Sequence, residues 1–391
     1  MSAGRGGTRR VVFAPDSFKG SIRAAAAAEA LAEGWRGADP EAELVLRPMA
    51  DGGEGTLDAF AVAVPGARRM PVAVPAPDGR GPGLEAEWLL LPATPDAPAG
   101  TGVVELACTC GIELFGGRRD PWHASTEGFG VAIADALDAG VSRLVLAIGS
   151  SASTDGGAGM LHALGARFLA GGGSPVDRLD AAALRRVASV DLGGLRPPPA
   201  GGAIVLSDVT APLCGPAGAA AVFGPQKGLA AAETEEADAL LRHYARLFEV
   251  ATGTPDLGTP DPGTPGAGAA GGTGFGLLAW GARLTPGAAE IADLVGLAEA
   301  VAAASLVVTG EGAYDGQSAS GKAPAHVAAL AAAARTPAAL VAGHIDRGAE
   351  LGGFAASLSL TALAGSAGAA LADPGRWLRA AGRELALAVH A

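Results

Sequence analysis

Lysine is nearly absent from this chain of 391 residues: Lys19, Lys227 and Lys322 are its three, and arginine supplies the rest of the 28 positive charges. Aromatic residues make up 4% of the sequence, and cysteine is reduced to Cys108, Cys110 and Cys214. Each shortage excludes something. An odd number of cysteines makes no disulfide framework, and Cys108-Thr109-Cys110 lacks the second ligand pair of a zinc site. The thiols are therefore expected to be reduced, as in the cytoplasm. A net charge of −12, with no basic run beyond the start of the chain, argues against nucleic acid or a membrane surface as a partner. Val11-Val12-Phe13, after Arg9 and Arg10, is far too short for a signal-peptide core. The alanine-rich segment near Ala329 is broken by His326, Arg335 and Pro337, so it is no bilayer span.

What is present is apolar and rich in glycine: 49% hydrophobic residues and 61 glycines. The length is enough for two domains with substantial cores. Short β-branched runs alternate with alanine-rich helical stretches, the pattern of a mostly parallel α/β fold. Strands are expected at Arg10–Phe13, Leu44–Arg47, Glu87–Leu91, Gly102–Leu106, Leu144–Ile148, Ile204–Leu206, Leu306–Thr309 and Ala339–Val341. Helices are expected at Ile22–Arg36, Glu54–Val62, Glu127–Asp138, Ala158–Leu169, Glu233–Leu247, Ala323–Ala333 and Trp377–Val389. The segment Thr252–Ala270, rich in Pro, Gly and Thr, reads as an extended loop.

All three lysines sit against a glycine: Phe18-Lys19-Gly20, Gln226-Lys227-Gly228 and Gly321-Lys322-Ala323. An ammonium is a compact point charge and a guanidinium a planar fork, so the two are not interchangeable at a phosphate. Three retained ammonium groups on glycine-rich loops point to phosphoryl transfer. A codon preference for arginine, leaving lysines in surface turns, is the plainer alternative. Leu144–Ile148 opens into Gly149-Ser150-Ser151-Ala152-Ser153-Thr154-Asp155-Gly156-Gly157, and Leu306–Thr309 into Gly310-Glu311-Gly312-Ala313-Tyr314-Asp315-Gly316. Ligands of open α/β sheets collect outside the carboxyl ends of the strands, which is where these loops begin.

Two glycine motifs fail on context. Gly316-Gln317-Ser318-Ala319-Ser320-Gly321-Lys322 has P-loop spacing, but Ala323 stands where the magnesium-holding Ser or Thr belongs. Gly266-Ala267-Gly268-Ala269-Ala270-Gly271 has no strand before it and is no dinucleotide fingerprint. Ala50-Asp51-Gly52-Gly53-Glu54-Gly55-Thr56 says more. Consecutive glycine amides before a helix make an anion nest, and Asp51 and Glu54 are hard oxygen ligands suited to magnesium. An ordinary capping box would use the same residues. Asp16-Ser17-Phe18-Lys19 follows the first strand. Asp208, just past Ile204–Leu206, is a candidate base, metal ligand or mere cap. The six histidines show no metal-ligand spacing.

Taken together, these segments resemble type I glycerate kinase (glycerate 2-kinase). The resemblance runs from about Val11 to Val341. Its blocks are Ala14 through Lys19; Ala50 through Thr56; Ser150 through Met160; Gly218 through Gly228; and Thr309 through Gly312 with Asp315, Gln317, Gly321, Lys322 and Pro324. It implies phosphorylation of D-glycerate, a small hydroxy acid, by ATP with Mg2+, with 2-phosphoglycerate the favoured product. It implies a flavodoxin-like or Rossmann-like, mostly parallel sheet domain (1–75 and 288–391). A second α/β domain (76–287) is inserted in it, with the active site in the cleft between them. Carried onto this chain, it gives Asp208, Asp155 and Lys227 catalytic roles. Lys19, Ser17, Gly52, Gly53, Lys322 and Glu311 fall to the nucleotide, Asp51, Glu54 and Asp315 to the metal, and Asp16, Ser151 and Gln317 to the substrate.

The chain departs from the family pattern at Phe129-Gly130-Val131, where Thr-Gly-Glu is usual. It departs again at Ser150, at Ala211 in place of Asn, and at Ala313 in place of Arg. A kinase for a related hydroxy acid, with Phe129 and Val131 marking a less polar pocket, therefore stays open. So do a catalytically silent nucleotide- or metabolite-binding protein and a homodimer.

Overall fold

The computed structural model describes residues 9–50, 52–251, 260–315 and 323–390. Its strands in chain order are β1 (Arg10–Pro15), β2 (Glu43–Leu46), β3 (Arg68–Val74), β4 (Leu84–Leu91), β5 (Thr101–Glu105), β6 (Arg143–Ala147), β7 (Arg167–Ala170), β8 (Val187–Asp191), β9 (Ala203–Leu206), β10 (Arg283–Thr285), β11 (Leu306–Tyr314), β12 (Ala338–Ile345) and β13 (Ala356–Ser359). Each run expected as a strand lies wholly or largely within one of these. The chain divides into two compact units. One is Met1–Asp51, Asp58–Pro65 and Ala288–Ala391; the other is Gly52–Leu57 and Gly66–Gly287.

The sheet of the first unit runs β2-β1-β11-β12-β13, parallel throughout. Counted along this unit alone, that is the order 2-1-3-4-5 of flavodoxin-like doubly wound folds. A parallel sheet covered on both faces needs strands that are apolar at every position. Val11, Val12 and Phe13 meet that demand, all fully buried. Phe13, Val308 and Val341 share a core with Leu31 and Trp35 of the helix Ala24–Arg36 and Leu378 of the helix Pro374–His390.

The second unit holds a six-stranded sheet in the order β10-β9-β6-β5-β4-β3. It is parallel from β10 to β5, then antiparallel through β4 and β3. The sequence sets the first boundary at 75; β3 pairs with β4, Val72 opposite Ala86, within this second sheet. Trp88, Phe129, Phe168, Tyr244, Phe275 and Trp280 fill its core. Tyr244 meets Phe248 and Phe275 edge to face, with centroids 5.1 and 5.8 Å apart.

The expected helix Ala158–Leu169 ends at Ala163. Gly165 turns the chain with φ of 107°, and a Cβ there would lie 2.2 Å from the Gly194 carbonyl. The chain then enters β7, paired with β8. No helix among the described residues is long and apolar enough to cross a membrane.

Candidate active site

In the first unit, β1 and β11 lie side by side, yet β1 leads to β2 on one flank and β11 to β12 on the other. Such a switch point opens a crevice at the carboxyl ends of its strands. There the Asp16 N–H donates to the Gly310 carbonyl at 2.8 Å. The Asp16 side chain is 9% exposed, and its Oδ1 accepts from the Ser17 N–H at 2.6 Å. Phe18 and Ile22 exchange backbone hydrogen bonds of 2.9 and 3.1 Å, closing a tight loop with Lys19-Gly20 at its exposed tip. Gly312 lets β11 pass close beneath: a Cβ on it would stand 3.2 Å from the Lys19 backbone nitrogen. Glu311 is buried in the same strand and Asp315 half-buried just beyond it. The structure thus brings Asp16, Ser17, Lys19 and Glu311 to one switch point.

In the second unit the segment Gly52–Leu57 lies against the ends of β5, β6 and β9. The Gly149 N–H donates to the Gly52 carbonyl at 2.8 Å. Gly52 has φ of 83°, and a Cβ there would be 2.5 Å from the Leu206 carbonyl, so no other residue fits. Glu105, the last residue of β5 and 2% exposed, accepts from the Gly55 N–H at 3.1 Å and the Leu57 N–H at 2.9 Å. Asp208 lies exposed just past β9, its Oδ1 accepting from the Gly287 N–H at 2.9 Å. After β6, Ser150 takes φ of 58°, and the buried Ser151 hydroxyl accepts from the Ser153 N–H at 3.1 Å.

Asp155 and Lys227 point inward instead. The Asp155 carboxylate is fully buried and accepts from the Thr126 N–H at 2.9 Å, the Thr126 hydroxyl at 2.7 Å, and the Gly157 and Gly159 N–H groups at 3.1 and 3.3 Å. It ties together the starts of the helices Glu127–Asp138 and Ala158–Ala163. Burial pushes its pKa above the ordinary carboxylate range, against the pull of those donors. Three of these donors go to Oδ2 and one, the Gly157 N–H, to Oδ1, so the carboxylate is held within the protein. Asp155, expected as a base or metal ligand, thus lies away from solvent.

Lys227 ends the helix Ala219–Lys227 only 3% exposed, its ammonium donating to the Ser153 carbonyl. Burial lowers its pKa to about 8, with Cys110 and Asp155 pulling it back up. Burial and the Asp155 charge push the Cys110 thiol up to about 12. A Cβ at Gly271, where φ is 68°, would lie 2.9 Å from the Lys227 nitrogen. The expectation of three like ammonium groups on loops therefore divides: Lys19 faces out and Lys227 faces in. Lys322, Asp51 and Gln317 lie outside the described residues. Phe129, expected in a pocket wall, is fully buried in the core.

Among the described residues no group of three or more His, Cys, Asp or Glu is arranged to hold a metal ion. A magnesium ion arriving with nucleotide phosphates needs only one or two protein carboxylates. The half-buried Glu54 and Asp315 suit that demand, each within its own unit. The residue that sequence reasoning misses is Glu105. Its signal is a carboxylate inside the apolar run Gly102–Leu106, since a charge is buried only with partners. Gly266–Gly271 overlaps the start of the helix Ala269–Ala279, where Ala270, Gly271 and Gly272 are all left-handed, a geometry unlike the strand-to-helix turn of a Rossmann fingerprint.

The glycerate kinase family model matches residues 11–390. A glycerate kinase of Halalkalibacterium halodurans is 38% identical over 343 residues, 87% of this chain and 87% of that protein. The glycerate 2-kinase of Escherichia coli is 38% identical over 339 residues, 86% of this chain and 85% of its own. A crystal structure from Salmonella typhimurium LT2, described as that of a glycerate kinase 2, superposes with a TM-score of 0.80. It has 35% sequence identity and covers 98% of this chain and 99% of its own. With a match across nearly its whole length and relatives at this identity, the chain belongs to the glycerate kinase family.

Proposed function

We propose that this protein transfers the γ-phosphoryl group of ATP to D-glycerate with Mg2+, forming 2-phosphoglycerate and ADP in the cytoplasm. The observation that carries the reading is the β1/β11 switch point, where Lys19 stands exposed at the tip of a glycine-supported loop. The position of the phosphate is taken from the Escherichia coli relative, whose name is glycerate 2-kinase.

In this reading the glycerate hydroxyl oxygen attacks the γ-phosphorus as the bond to ADP breaks, and the hydroxyl proton passes to a carboxylate. Asp208 suits that part: it is exposed, past the end of a strand, with one oxygen held by the Gly287 N–H. Lys19 offsets charge on the phosphates, and Asp16, held by the Ser17 N–H, faces substrate at the same strand end. Magnesium, when bound with the nucleotide, neutralises charge on the phosphates. Glu54 in the second unit is the residue proposed to hold it, with Asp315 the candidate in the first.

The test is ADP release from purified protein with ATP, Mg2+ and D-glycerate, followed by phosphorus NMR of the product. Glycerate-dependent release with phosphate on the 2-position is expected. Turnover only with another hydroxy acid would move the substrate, and nucleotide binding without turnover on any acceptor would refute the kinase reading.

A further inference from the structure

Glu105 is a buried carboxylate that the proposed chemistry does not use. It ends a strand whose Val103 and Val104 are fully buried, and is itself 2% exposed. Its two oxygens are divided between two backbone amides, Oε1 with the Gly55 N–H at 3.1 Å and Oε2 with the Leu57 N–H at 2.9 Å. The Cys108 thiol stands 3.5 Å from Oε1. The same segment is held at its other end, where the Gly149 N–H donates to the Gly52 carbonyl at 2.8 Å. The Thr56 hydroxyl adds a bond to the Gly53 carbonyl at 2.7 Å. Glu54 sits between these anchors, half-buried.

The amides of Gly55 and Leu57 open the helix Thr56–Ala63, where a phosphate would seek donors. Glu105 already holds both, and it brings a negative charge of its own. The first turn of that helix is therefore no seat for a phosphate. Between its two anchors the segment carries Glu54.

We propose that Glu105 is a positioning residue for phosphoryl transfer. It locks Gly52–Leu57 in the conformation that presents Glu54 to the reacting groups, and it keeps phosphate off the start of the following helix. The inference rests on the kinase reading above. A loop set wrongly by a fraction of an ångström loses transition-state alignment more than ground-state binding.

Glu105→Gln keeps the volume but places an amide N–H against one of the two backbone donors; Glu105→Asp keeps the charge and shortens the reach. Hydrogen exchange across Gly52–Leu57 and steady-state kinetics are measured on both variants and on the wild type. For Glu105→Gln, amide exchange in the segment should rise about tenfold or more. Its kcat should fall about 10- to 100-fold while KM for D-glycerate stays within about twofold. Glu105→Asp should recover part of kcat. A folded Glu105→Gln protein with wild-type kcat would overturn the proposal. So would a loss that follows the melting temperature alone and that Glu105→Asp does not relieve. A wild type with no turnover would defeat the kinase reading; the exchange data then decide the anchoring alone, unchanged protection overturning it and raised exchange upholding it.

Discussion

Lys19 and Lys227 are each followed by glycine, and each lies in a segment shared with the glycerate kinase pattern, but they occupy opposite environments. Lys19 tips an exposed loop at the switch point of a parallel sheet; Lys227 is 3% exposed inside the mixed unit, its ammonium on the Ser153 carbonyl. Asp208 and Asp155 repeat the contrast, one exposed with its Oδ1 on the Gly287 N–H, the other sealed among four donors. Residue type and glycine neighbours thus select groups fit for phosphate chemistry, while the fold sets two of them outward and two inward.

The largest effect on turnover should come from the outward lysine. Lys19→Ala should lower kcat/KM about 100-fold or more, the scale of losing one charge-stabilising donor. Its thermal midpoint should stay that of the wild type, because the side chain is exposed. Steady-state kinetics beside a melting curve would check this, and wild-type turnover would erase the distinction between the lysines. The largest effect on stability should come from Asp155→Ala. Removing the acceptor for four donors should destabilise the protein by about 3–5 kcal/mol, read from the urea midpoint. A shift below about 1 kcal/mol would mean that the two helix starts hold without it.

The smallest effect is a pH dependence. Lys227 is lowered from 10.5 to about 8, so between those values the unfolded chain binds more protons than the folded one, and stability rises with pH. Cys110, raised from 9.0 to about 12, has the opposite sign: above pH 9 the folded state holds the extra proton and stability falls. The net result is a rise of about 1 kcal/mol between pH 8 and 9, then near cancellation up to about 10.5, then a decline. Urea denaturation across that range should show the rise in the wild type and lose it in Lys227→Met. A wild-type profile flat from pH 8 to 9 would mean that the ammonium is not desolvated.

The parallel strands were legible because burial on both faces leaves continuous apolar runs, as at Val11–Phe13 and Leu144–Leu146. Those missed are of other kinds. β3 carries Arg68, Arg69 and Pro71 at the rim of the second sheet, where one edge makes no ladder. β10 has three residues, and the pair β7 and β8 stands apart from the larger sheets. The helix Ala269–Ala279 was hidden by its glycines, and Ala219–Lys227 contains Pro225. Of the site, the sequence shows which residues have the right chemistry at strand ends. It does not show that Asp155 is enclosed by Thr126, 29 positions away, or that Glu105 reaches back 50 positions to Gly55. Those contacts exist only once the sheet has formed.

The most direct measurement is ADP release by the purified wild-type protein given ATP, Mg2+ and D-glycerate, against a blank without acceptor. The account predicts glycerate-dependent turnover at ordinary enzyme rates, on the order of 1–1000 per second. Release no faster than the blank, from protein that still binds ATP, would contradict it.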